Sequence, residues 1–303
     1  MATKKNTVVA VIAGGISPER EISLRSGRSV EQALHTAGYT TLYIDYTHPT
    51  DIKNVTADVF FPVLHGTGGE DGDFAVACEQ YGYKHVGSDQ AASKLCFNKP
   101  EYLTKIAQHG FLTPQGQDVD ELAFESSVLS TQPFVLKPGD GGSSIDTFII
   151  RDPSSIPRAE IYEAFQRHPT LLLEPLIDGI ELTVGVLDDE ALSVIEIVPP
   201  LDGEFDYENK YNGKTQELCP PQNISVSTQL QAQQIAKEIH TVTGCRHYSR
   251  TDMILQPDGK LIVLETNTLP GMTSESLFPK AAAQAGMPFP VLVDRLVTLA
   301  LMN

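Results

Sequence analysis

Apolar runs and amphipathic segments alternate along the first third of the chain. VVAVIAGG predicts a buried strand that ends in glycines, and Ser17-Pro18-Glu19 predicts a helix start, with Ser17 as the cap, that leads into a helix ending near Gly38. The segments TTLYID and DVFFPVLHG predict two further strands, and DGDFAVACEQYG predicts a short helix. Strands that alternate with helices in this way predict a parallel sheet with right-handed crossovers.

The middle of the chain has a different pattern, in which glycines link two strands. QAASKLCFNKPEYLTKIAQHG predicts one long helix, and PFVLKPG predicts a strand with Lys137 at its end. The glycines of DGGSSID, which precede the predicted strand TFIIRD, indicate a hairpin tip rather than a strand-to-helix turn. A helix and the strand TLLLEPLID are predicted to follow.

The last part of the chain predicts two strand pairs separated by a long polar segment. ELTVGVL and ALSVIEIVPP form the first pair, and residues 202–217 are predicted to form a loop of a length that often serves as a functional lid. A helix near residues 227–243 is predicted to precede SRTDMIL and KLIVLETN, which a turn at Pro257 and Gly259 should join as antiparallel strands. Two helices are predicted to end the chain.

Composition narrows the class of protein. The 303 residues predict one large domain or two to three small ones, and 41% hydrophobic and 20% charged residues are typical of a soluble globular protein. No apolar run is long enough to span a bilayer. The net charge of -17 disfavours nonspecific binding to nucleic acid or an anionic membrane. Four scattered cysteines favour free thiols in a reducing cytosol and disfavour a zinc site.

A carboxylate and an amide end the apolar strand KLIVLETN. Because side chains alternate along a strand, Glu265 and Asn267 should face the same side, and Asp252 lies in the adjacent predicted strand. Oxygen ligands of this kind suit a hard divalent cation such as magnesium, which combines few carboxylates with substrate phosphates. Each residue alone is as readily a polar strand end or a helix cap, but three on paired strands favour a metal site.

The glycine-rich segment DGGSSID is a candidate phosphate site. Its backbone N–H groups and two hydroxyls would suit a phosphate, and Lys137 and Lys99 would each add a positive charge. An ordinary turn is the alternative for the two glycines. The segment Asn212–Thr215 ends like a P-loop, but Glu208 replaces the required earlier glycine and no apolar strand leads into it, so a P-loop is rejected.

Eight stretches, in order, match one family: GGISPEREISLRSG, FPVLHGTGGEDGDF, HVGSDQAASKLCFNK, FVLKPGDGGSSI, LLEPLIDGIELTVGVL, DYENKY, SRTDMIL and LETNTLPGMTSESLFP. Through them the chain, from about Val8 to Leu296, resembles the D-alanine–D-alanine ligases of the ATP-grasp superfamily. The resemblance implies a mixed α/β (α+β) ATP-grasp fold with three domains. These are an N-terminal parallel-sheet α/β domain (1–92) on the side of the first D-alanine, a central ATP-grasp domain (93–180), and a C-terminal ATP-grasp domain (181–303) with the metal site and a mobile loop (202–217).

The resemblance also implies a reaction, in which ATP phosphorylates the carboxylate of one D-alanine. The amine of a second D-alanine attacks the acyl phosphate, and the tetrahedral intermediate loses phosphate. The product would serve peptidoglycan precursor synthesis in the cytoplasm. The implied cofactors are ATP and two Mg²⁺ or Mn²⁺ ions, with a monovalent-cation requirement left open. The implied partners are D-alanine and ATP, without nucleic acid or membrane, and the family favours a homodimer.

Nine residues match the family's metal and nucleotide ligands: Asp252, Glu265 and Asn267 for metal, and Lys99, Lys137, Ser144, Glu174, Glu181 and Lys210 for ATP. The resemblance assigns Lys99 and Lys137 to the nucleotide phosphates, which Lys210 would reach from the mobile loop. Glu174 matches the position near the adenine amino group, and Glu181 matches the acid that hydrogen-bonds the ribose.

The family's catalytic groups match residues near both amino-acid pockets. Arg250 and the backbone N–H of Gly271 would steady the negative charge of the tetrahedral intermediate, the kind of contribution that is usually the largest in catalysis. Ser276 matches a contact to the carboxylate of the second D-alanine, and a hydroxyl at a helix start suits a carboxylate.

The pocket for the first D-alanine is assigned to the N-terminal part of the chain. Glu19 matches the acid that holds the substrate ammonium, although a helix cap is the alternative reading. Ser143 and Tyr211 match the partners that lock the mobile loop over the site together with Glu19. His65 matches a histidine near this substrate, but an isolated histidine is more often structural.

Three departures from the family pattern concern geometry rather than assigned roles. Asp146 stands where the family often has glycine, and it would be unwelcome beside a phosphate loop unless it points away. Phe205 replaces a tyrosine, and Ser249 replaces a common glycine.

Two other functions stay open: an ATP-grasp ligase with a different amine or hydroxy acid, such as D-lactate, and a nucleotide-binding regulatory protein without turnover. The presence of Tyr211 favours a dipeptide product, and the intact Arg250 and metal ligands disfavour the regulatory protein.

Overall fold

The computed structural model describes residues 4–141, 146–200 and 215–302. A three-stranded parallel sheet of order β2-β1-β3 holds the N-terminal part, with β1 at Val8–Gly14, β2 at Thr40–Tyr46 and β3 at Val59–Pro62. Helix α1 (Arg20–Ala37) follows β1, and α2 (Asp73–Tyr81) follows β3. The parallel pairing of β1 with β2 and β3 confirms the predicted parallel sheet. Strands β1 and β3 are buried, whereas β2 is a partly exposed edge strand.

The start of α1 differs from the prediction. The helix begins at Arg20, and the residue at its N-cap position is Glu19, which makes no side-chain capping hydrogen bond. The Ser17 hydroxyl, predicted to cap the helix, instead donates to the carbonyl of His65 at 2.7 Å and accepts the N–H of Glu19 at 3.2 Å. The prediction was wrong because the acceptor lies 48 residues away in the sequence, where no local pattern reveals it.

A four-stranded antiparallel sheet of order β4-β7-β5-β6 forms the second layer. Its elements are β4 (Gln117–Val119), α5 (Glu121–Ser126), β5 (Phe134–Lys137), β6 (Phe148–Ile150), α6 (Arg158–Arg167) and β7 (Leu171–Pro175). Strands β5 and β6 pair antiparallel, with Phe134 opposite Ile150, so the predicted hairpin is confirmed. The candidate phosphate segment DGGSSID connects these two strands, and residues 142–145 of it lie outside the described residues.

The single helix predicted before this sheet is two helices, α3 (Gln90–Phe97) and α4 (Lys99–Gln108). Asn98 interrupts them with extended backbone angles, and its side chain accepts the N–H of Glu101 at 3.0 Å. An Asn cap followed by Pro100 in the first turn favours a new helix start over continuation. The break places Lys99 at the beginning of α4, where its N–H donates to the carbonyl of Gly139 at 2.7 Å.

A six-stranded sheet holds the C-terminal part, with strand order β11-β10-β8-β12-β13 and β9 paired to β8. Its strands are β8 (Ile180–Leu187), β9 (Glu190–Ala191), β10 (Ile195–Val198), β11 (Gln216–Leu218), β12 (Tyr248–Leu255) and β13 (Leu261–Asn267). The helices are α7 (Val226–Thr243), α8 (Leu277–Gln284) and α9 (Phe289–Met302). Both predicted antiparallel pairs, β8 with β10 and β12 with β13, are confirmed.

The two ends of the chain share one hydrophobic core. Buried Val30 and Leu34 of α1 belong to the same cluster as Leu296 and Val297 of α9. Among the described helices, none is by itself long and apolar enough to cross a membrane, and α8 with α9 meets that test only as a pair bent by 101°. The predicted domain boundaries at residues 92 and 180 remain predictions.

The predicted loop 202–217 is partly corrected. Gln216 and Glu217 belong to β11, where they pair with Val198 and Ile197 of β10. A strand of three residues beside a long polar segment gives too little alternation to be recognised, which explains the error. Residues 202–214 of the predicted loop, including Lys210 and Tyr211, lie outside the described residues.

Candidate active site

A cavity of about 450 Å³ is lined by residues of the second and third sheets and by the segments that follow β1 and β3. Seven of the predicted site residues line it: Glu19, Lys99, Lys137, Glu174, Glu181, Asp252 and Glu265. Aliphatic side chains, among them Ile149, Ile177 and Ile254, lie between these charged groups. A cavity with apolar walls and a few convergent charges suits a ligand that has both a flat apolar part and an anionic part.

The strand register aligns residues in two rows across β8, β12 and β13. One row contains Gly185, Arg250 and Asn267, and the next contains Thr183, Asp252 and Glu265. The β12–β13 register shifts between Asp252 and Met253, so that Leu264 is an extra residue and both it and Glu265 line the cavity. Such a bulge re-aims side chains beside a site, and here it turns Glu265 toward Asp252.

Asp252 is held by three hydrogen bonds. Arg250 donates from Nε to Oδ1 at 2.9 Å and from Nη2 to Oδ2 at 2.8 Å, and the Thr183 hydroxyl donates to Oδ1 at 2.5 Å. Burial disfavours the charge of Arg250, but Asp252, Glu265 and Glu70 outweigh it and hold the pKa of the guanidinium above its usual value. The Arg250 side chain is therefore a fixed positive charge beside Asp252, which lines the cavity.

The donors around Asp252 fit a hard divalent cation. Asp252 faces Glu265 across the strand pair, and Asn267 lies with Glu265 along a second, small cavity. Within residues 4–141, 146–200 and 215–302 there is no group of three or more His, Cys, Asp or Glu side chains that could hold a metal. The candidate set consists instead of two carboxylates and an amide. Magnesium and manganese accept such oxygen donors. The role of these residues as metal ligands stays a prediction.

The two predicted phosphate lysines already have partners. Lys99 Nζ donates to the carbonyl of Gly141 at 2.5 Å and lies 3.4 Å from Glu265 Oε2. Lys137 Nζ lies 2.7 Å from Glu174 Oε2, and both side chains are nearly inaccessible. Burial alone would lower the pKa of Lys137, but Glu174 and Glu265 raise it above its usual value, so the amine is charged.

Glu174 keeps one oxygen available. Its Oε1 is buried without a hydrogen-bond partner among the described residues, and Glu174 lines the cavity. A ligand amino group would satisfy this acceptor, which agrees with the assignment of Glu174 to the adenine end. Glu181 of β8 lines the same cavity. The other two predicted ATP residues, Ser144 and Lys210, lie outside the described residues.

The pocket predicted for the first substrate is formed by the segments after β1 and β3. Gly66 has a φ of 66°, and a Cβ there would lie 3.1 Å from Ser17 Cβ and 3.5 Å from Glu19 Oε2. Glycine thus permits the close approach of the two segments. His65 is buried, and its Nε2 has no partner among the described residues. Burial lowers the pKa of His65 despite the opposing charge of Glu19, so the imidazole is neutral near pH 7.

Gly271 and Ser276 lie against each other. A Cβ on Gly271 would lie 2.9 Å from Ser276 Oγ, and that hydroxyl accepts the N–H of Thr273 at 3.1 Å. Ser276 occupies the N-cap position of α8, as expected for a hydroxyl at a helix start, without a side-chain capping bond. Neither residue lines the described part of the large cavity. Ser143 and Tyr211, the predicted loop-locking residues, lie outside the described residues.

The departures Asp146 and Ser249 have structural partners. Asp146 has a φ of 54°, the left-handed region that favours glycine, and its carboxylate accepts from Arg167 at 2.7 Å and lies 2.9 Å from His168 Nε2. This carboxylate is thereby neutralised by α6. The Ser249 hydroxyl lies 2.7 Å from His240 Nδ1 in the buried interior. Phe205 lies outside the described residues.

Sequence reasoning missed two residues that adjoin the site. Glu70 is buried, accepts the N–H of Gly66 at 2.8 Å and lines the small cavity with Lys99 and Glu265. Burial raises the pKa of its carboxyl, with a further contribution from Glu265. An acid among the glycines of HGTGGEDG was the available signal. Thr183, the second residue, offered none, because a threonine inside an apolar strand is unremarkable in a sequence.

Comparisons with known proteins identify the family of this chain. The family model described as D-ala D-ala ligase C-terminus matches residues 105–298. The D-alanine–D-alanine ligase of Azorhizobium caulinodans is 39% identical, with 95% of this chain and 96% of that protein covered. The chain belongs to the D-alanine–D-alanine ligase family. A second ligase of this name, from Syntrophobacter fumaroxidans, is 38% identical with 99% of each chain covered.

Solved structures of this ligase family share the fold. The D-alanine–D-alanine ligase of Bacillus anthracis complexed with ATP has a TM-score of 0.83 and 27% identity, with 98% of this chain and 97% of that chain covered. The VanG D-Ala:D-Ser ligase of Enterococcus faecalis has a TM-score of 0.81 and 27% identity, with 97% of this chain and 99% of that chain covered. The predicted ATP-grasp fold is confirmed.

Proposed function

We propose that this ligase joins two D-alanines into D-alanyl-D-alanine with ATP, through a D-alanyl phosphate. The observation that carries the proposal is the β12–β13 register, which sets Arg250 opposite Asn267 and Asp252 opposite Glu265 beside a cavity that also reaches Glu19. This one cavity therefore holds groups suited to phosphate transfer and to a substrate ammonium, and Arg250, which is assigned to the acyl intermediate, contacts the cavity-lining Asp252.

ATP would occupy the part of the cavity lined by Lys99, Lys137, Glu174 and Glu181. The two lysines carry positive charge for the phosphates, and the unsatisfied Glu174 oxygen would accept the adenine amino group. Asp252, Glu265 and Asn267 would hold two Mg²⁺ or Mn²⁺ ions. When bound, such ions neutralise the triphosphate and orient the phosphoryl group for transfer.

The chemistry begins at the first D-alanine, whose ammonium would lie against Glu19. The neutral His65 adds no competing positive charge there. The carboxylate oxygen of this D-alanine attacks the γ-phosphorus, which gives an acyl phosphate and ADP. The free amine of a second D-alanine, oriented by Ser276, then attacks the acyl carbon.

The tetrahedral intermediate that forms carries a negative oxygen. Arg250, a fixed positive charge, and the backbone N–H of Gly271 would stabilise it. The C–O bond to phosphate breaks, phosphate leaves, and the new amide nitrogen loses a proton to solvent. Each turnover thus converts two D-alanines and ATP into dipeptide, ADP and phosphate.

Phosphate release from ATP with magnesium tests the proposal, with D-alanine, L-alanine, D-serine or D-lactate added singly and in pairs. We expect strong release with D-alanine alone and a D-alanyl-D-alanine product by mass spectrometry. Chelation of the metal with EDTA should abolish release, and added Mg²⁺ should restore it. Equal rates with L-alanine would contradict the substrate assignment, and preference for D-alanine with D-serine would favour the activity named for the VanG ligase.

The proposal extends to the cellular role. A D,D-dipeptide is a building block for peptidoglycan precursors, and the ATP supply favours reaction in the cytoplasm. We expect a homodimer from the family resemblance, which light scattering of the purified chain would test. ATP binding without release of phosphate under any substrate combination would instead favour a regulatory protein.

A further inference from the structure

Thr183 contacts Asp252 from the strand on the side opposite to Glu265. Strand β8 pairs with β12, and its register puts Thr183 directly across from Asp252, just as β13 puts Glu265 across from it on the other side. Thr183 is buried, at 3% exposure, and its Oγ1 donates to Asp252 Oδ1 at 2.5 Å. The contact joins the middle of the sheet to a side chain that lines the cavity.

The hydrogen bonds of Asp252 determine which oxygen can accept another partner. An ionised carboxylate has about four acceptor positions, two on each oxygen. Within the part of the chain that the structure describes, Oδ1 accepts from both Thr183 and Arg250, whereas Oδ2 accepts from Arg250 alone. Oδ1 is therefore filled, and one position remains on Oδ2. A carboxylate anchored at one oxygen in this way cannot rotate freely about its bond to Cβ.

We propose that Thr183 is a positioning residue for the metal site: with Arg250 it fixes the Asp252 carboxylate so that only Oδ2 is presented to a divalent cation that binds with ATP. This inference rests on the metal-binding part of the proposed function. Because Oδ1 is occupied, Asp252 would act as a monodentate ligand, and Arg250 need not leave it when the cation arrives. Groups that orient a ligand in this way typically change metal affinity by about 10- to 100-fold when they are removed.

Thr251 supplies a matched control on the same sheet. It is buried, next to Asp252 in the chain, and its Oγ1 lies 2.9 Å from the hydroxyl of Thr266, within an interior network that includes Tyr102. It lies on the face of β12 opposite to Asp252, because neighbouring residues alternate. A Thr251→Val change therefore removes a buried hydroxyl without touching the Asp252 carboxylate.

The experiment measures Mn²⁺ binding by electron paramagnetic resonance, with the full-length chain and a non-hydrolysable ATP analogue. We expect Thr183→Val to weaken Mn²⁺ binding about 10-fold or more, since valine keeps the shape and loses the donor. Thr183→Ser should restore affinity close to that of the unaltered protein. Thr251→Val should leave Mn²⁺ affinity unchanged, even if its melting temperature falls. If Thr183→Val does not fold, Thr183→Ala replaces it in the same assay.

Two results would overturn the inference: Mn²⁺ affinity of Thr183→Val equal to that of the unaltered protein, or an equal loss in Thr251→Val. Failure of the proposed function has a different signature. If the unaltered protein binds Mn²⁺ with the ATP analogue and Thr183→Val binds it weakly, but no dipeptide forms, the positioning role stands and the ligase activity fails. If dipeptide forms and Thr183→Val keeps full Mn²⁺ affinity, only the positioning role fails.

Discussion

The two ends of the cavity compensate buried charge in different ways. At the β12–β13 end, Asp252 is paired with Arg250 on its own strand, two residues away, and is further bonded by Thr183. At the β5–β7 end, Lys137 is paired with Glu174 diagonally across neighbouring strands, and one oxygen of Glu174 remains unsatisfied. Among the described residues, the first end thus has its hydrogen bonds in place, whereas the second keeps an acceptor that a ligand could fill.

This difference fits the chemistry proposed for each end. Charge that develops during a reaction is best stabilised by groups that are already fixed, because they need no reorganisation at that moment. A buried acceptor without a partner costs free energy in the empty protein, and a ligand that supplies the missing donor recovers it. The Arg250 end would therefore act in the reaction itself, and the Glu174 end would act in nucleotide recognition.

Removal of Arg250 tests the preorganised end and should give the largest effect. We expect Arg250→Ala to reduce turnover by about 100- to 1,000-fold, as for the loss of a donor to a developing oxyanion. Binding of an ATP analogue, measured by calorimetry, should persist. Arg250→Lys keeps the charge and loses the two-pronged contact with Asp252, so it should recover only part of the rate. Undiminished turnover in Arg250→Ala would remove the assigned role.

Removal of either partner of the Lys137–Glu174 ion pair tests the β5–β7 end of the cavity. Loss of one partner of a buried pair leaves an uncompensated charge and destabilises a protein by about 3–5 kcal/mol. We expect Lys137→Met and Glu174→Leu each to lower the free energy of unfolding in urea by this order. The double variant should lose much less than the two changes added together, yet still bind ATP poorly. Additive losses in a double-mutant cycle would show that the 2.7 Å contact contributes no pairing energy.

Neutralisation of Asp146 should give the smallest effect, because Arg167 is about half exposed, at 51%. We expect Asp146→Asn, which tolerates the left-handed backbone, to cost about 1 kcal/mol or less. Arg167 foremost, and then His168, hold the pKa of Asp146 below its usual value, so its stabilising contribution is present at neutral pH and is lost as the carboxylate is protonated.

The pH dependence of this variant is the sharper measurement. The difference in unfolding free energy between the unaltered protein and Asp146→Asn should be present at about pH 5 and shrink as the pH falls below the ordinary aspartate pKa of about 3.9. Urea titrations across this range, at low and high salt, provide the measurement. A difference that does not shrink in acid would show that the ion pairs with α6 are not its cause.

The β12–β13 pair illustrates what local pattern can predict. Alternation of apolar and polar residues and a turn at Pro257 and Gly259 were enough to predict the antiparallel pairing that brings Asp252 and Glu265 together. The hairpin between β5 and β6 followed from glycines in the same way. The break at Asn98 was missed, although an Asn followed by Pro at two residues was a readable cap signal.

Other features had no local signal. The partners of Ser17 and Asp146 lie 48 and 21 residues away. Thr183 and Asp252 are separated by 69 residues and meet only because β8 lies beside β12 in the sheet. The bulge at Leu264 depends on how β12 and β13 pair, and no residue type in β13 indicates its position.

The sequence by itself determined most of the longer elements and the family, because periodicity, turn residues and motif order are properties of neighbouring residues. The tertiary structure decided which polar side chains pair with each other. Thr183 pairs with Asp252, Lys137 with Glu174, and Asp146 with Arg167. Hydrogen bonds and ion pairs act over about 3 Å, so they depend on strand order and helix packing rather than on distance along the chain.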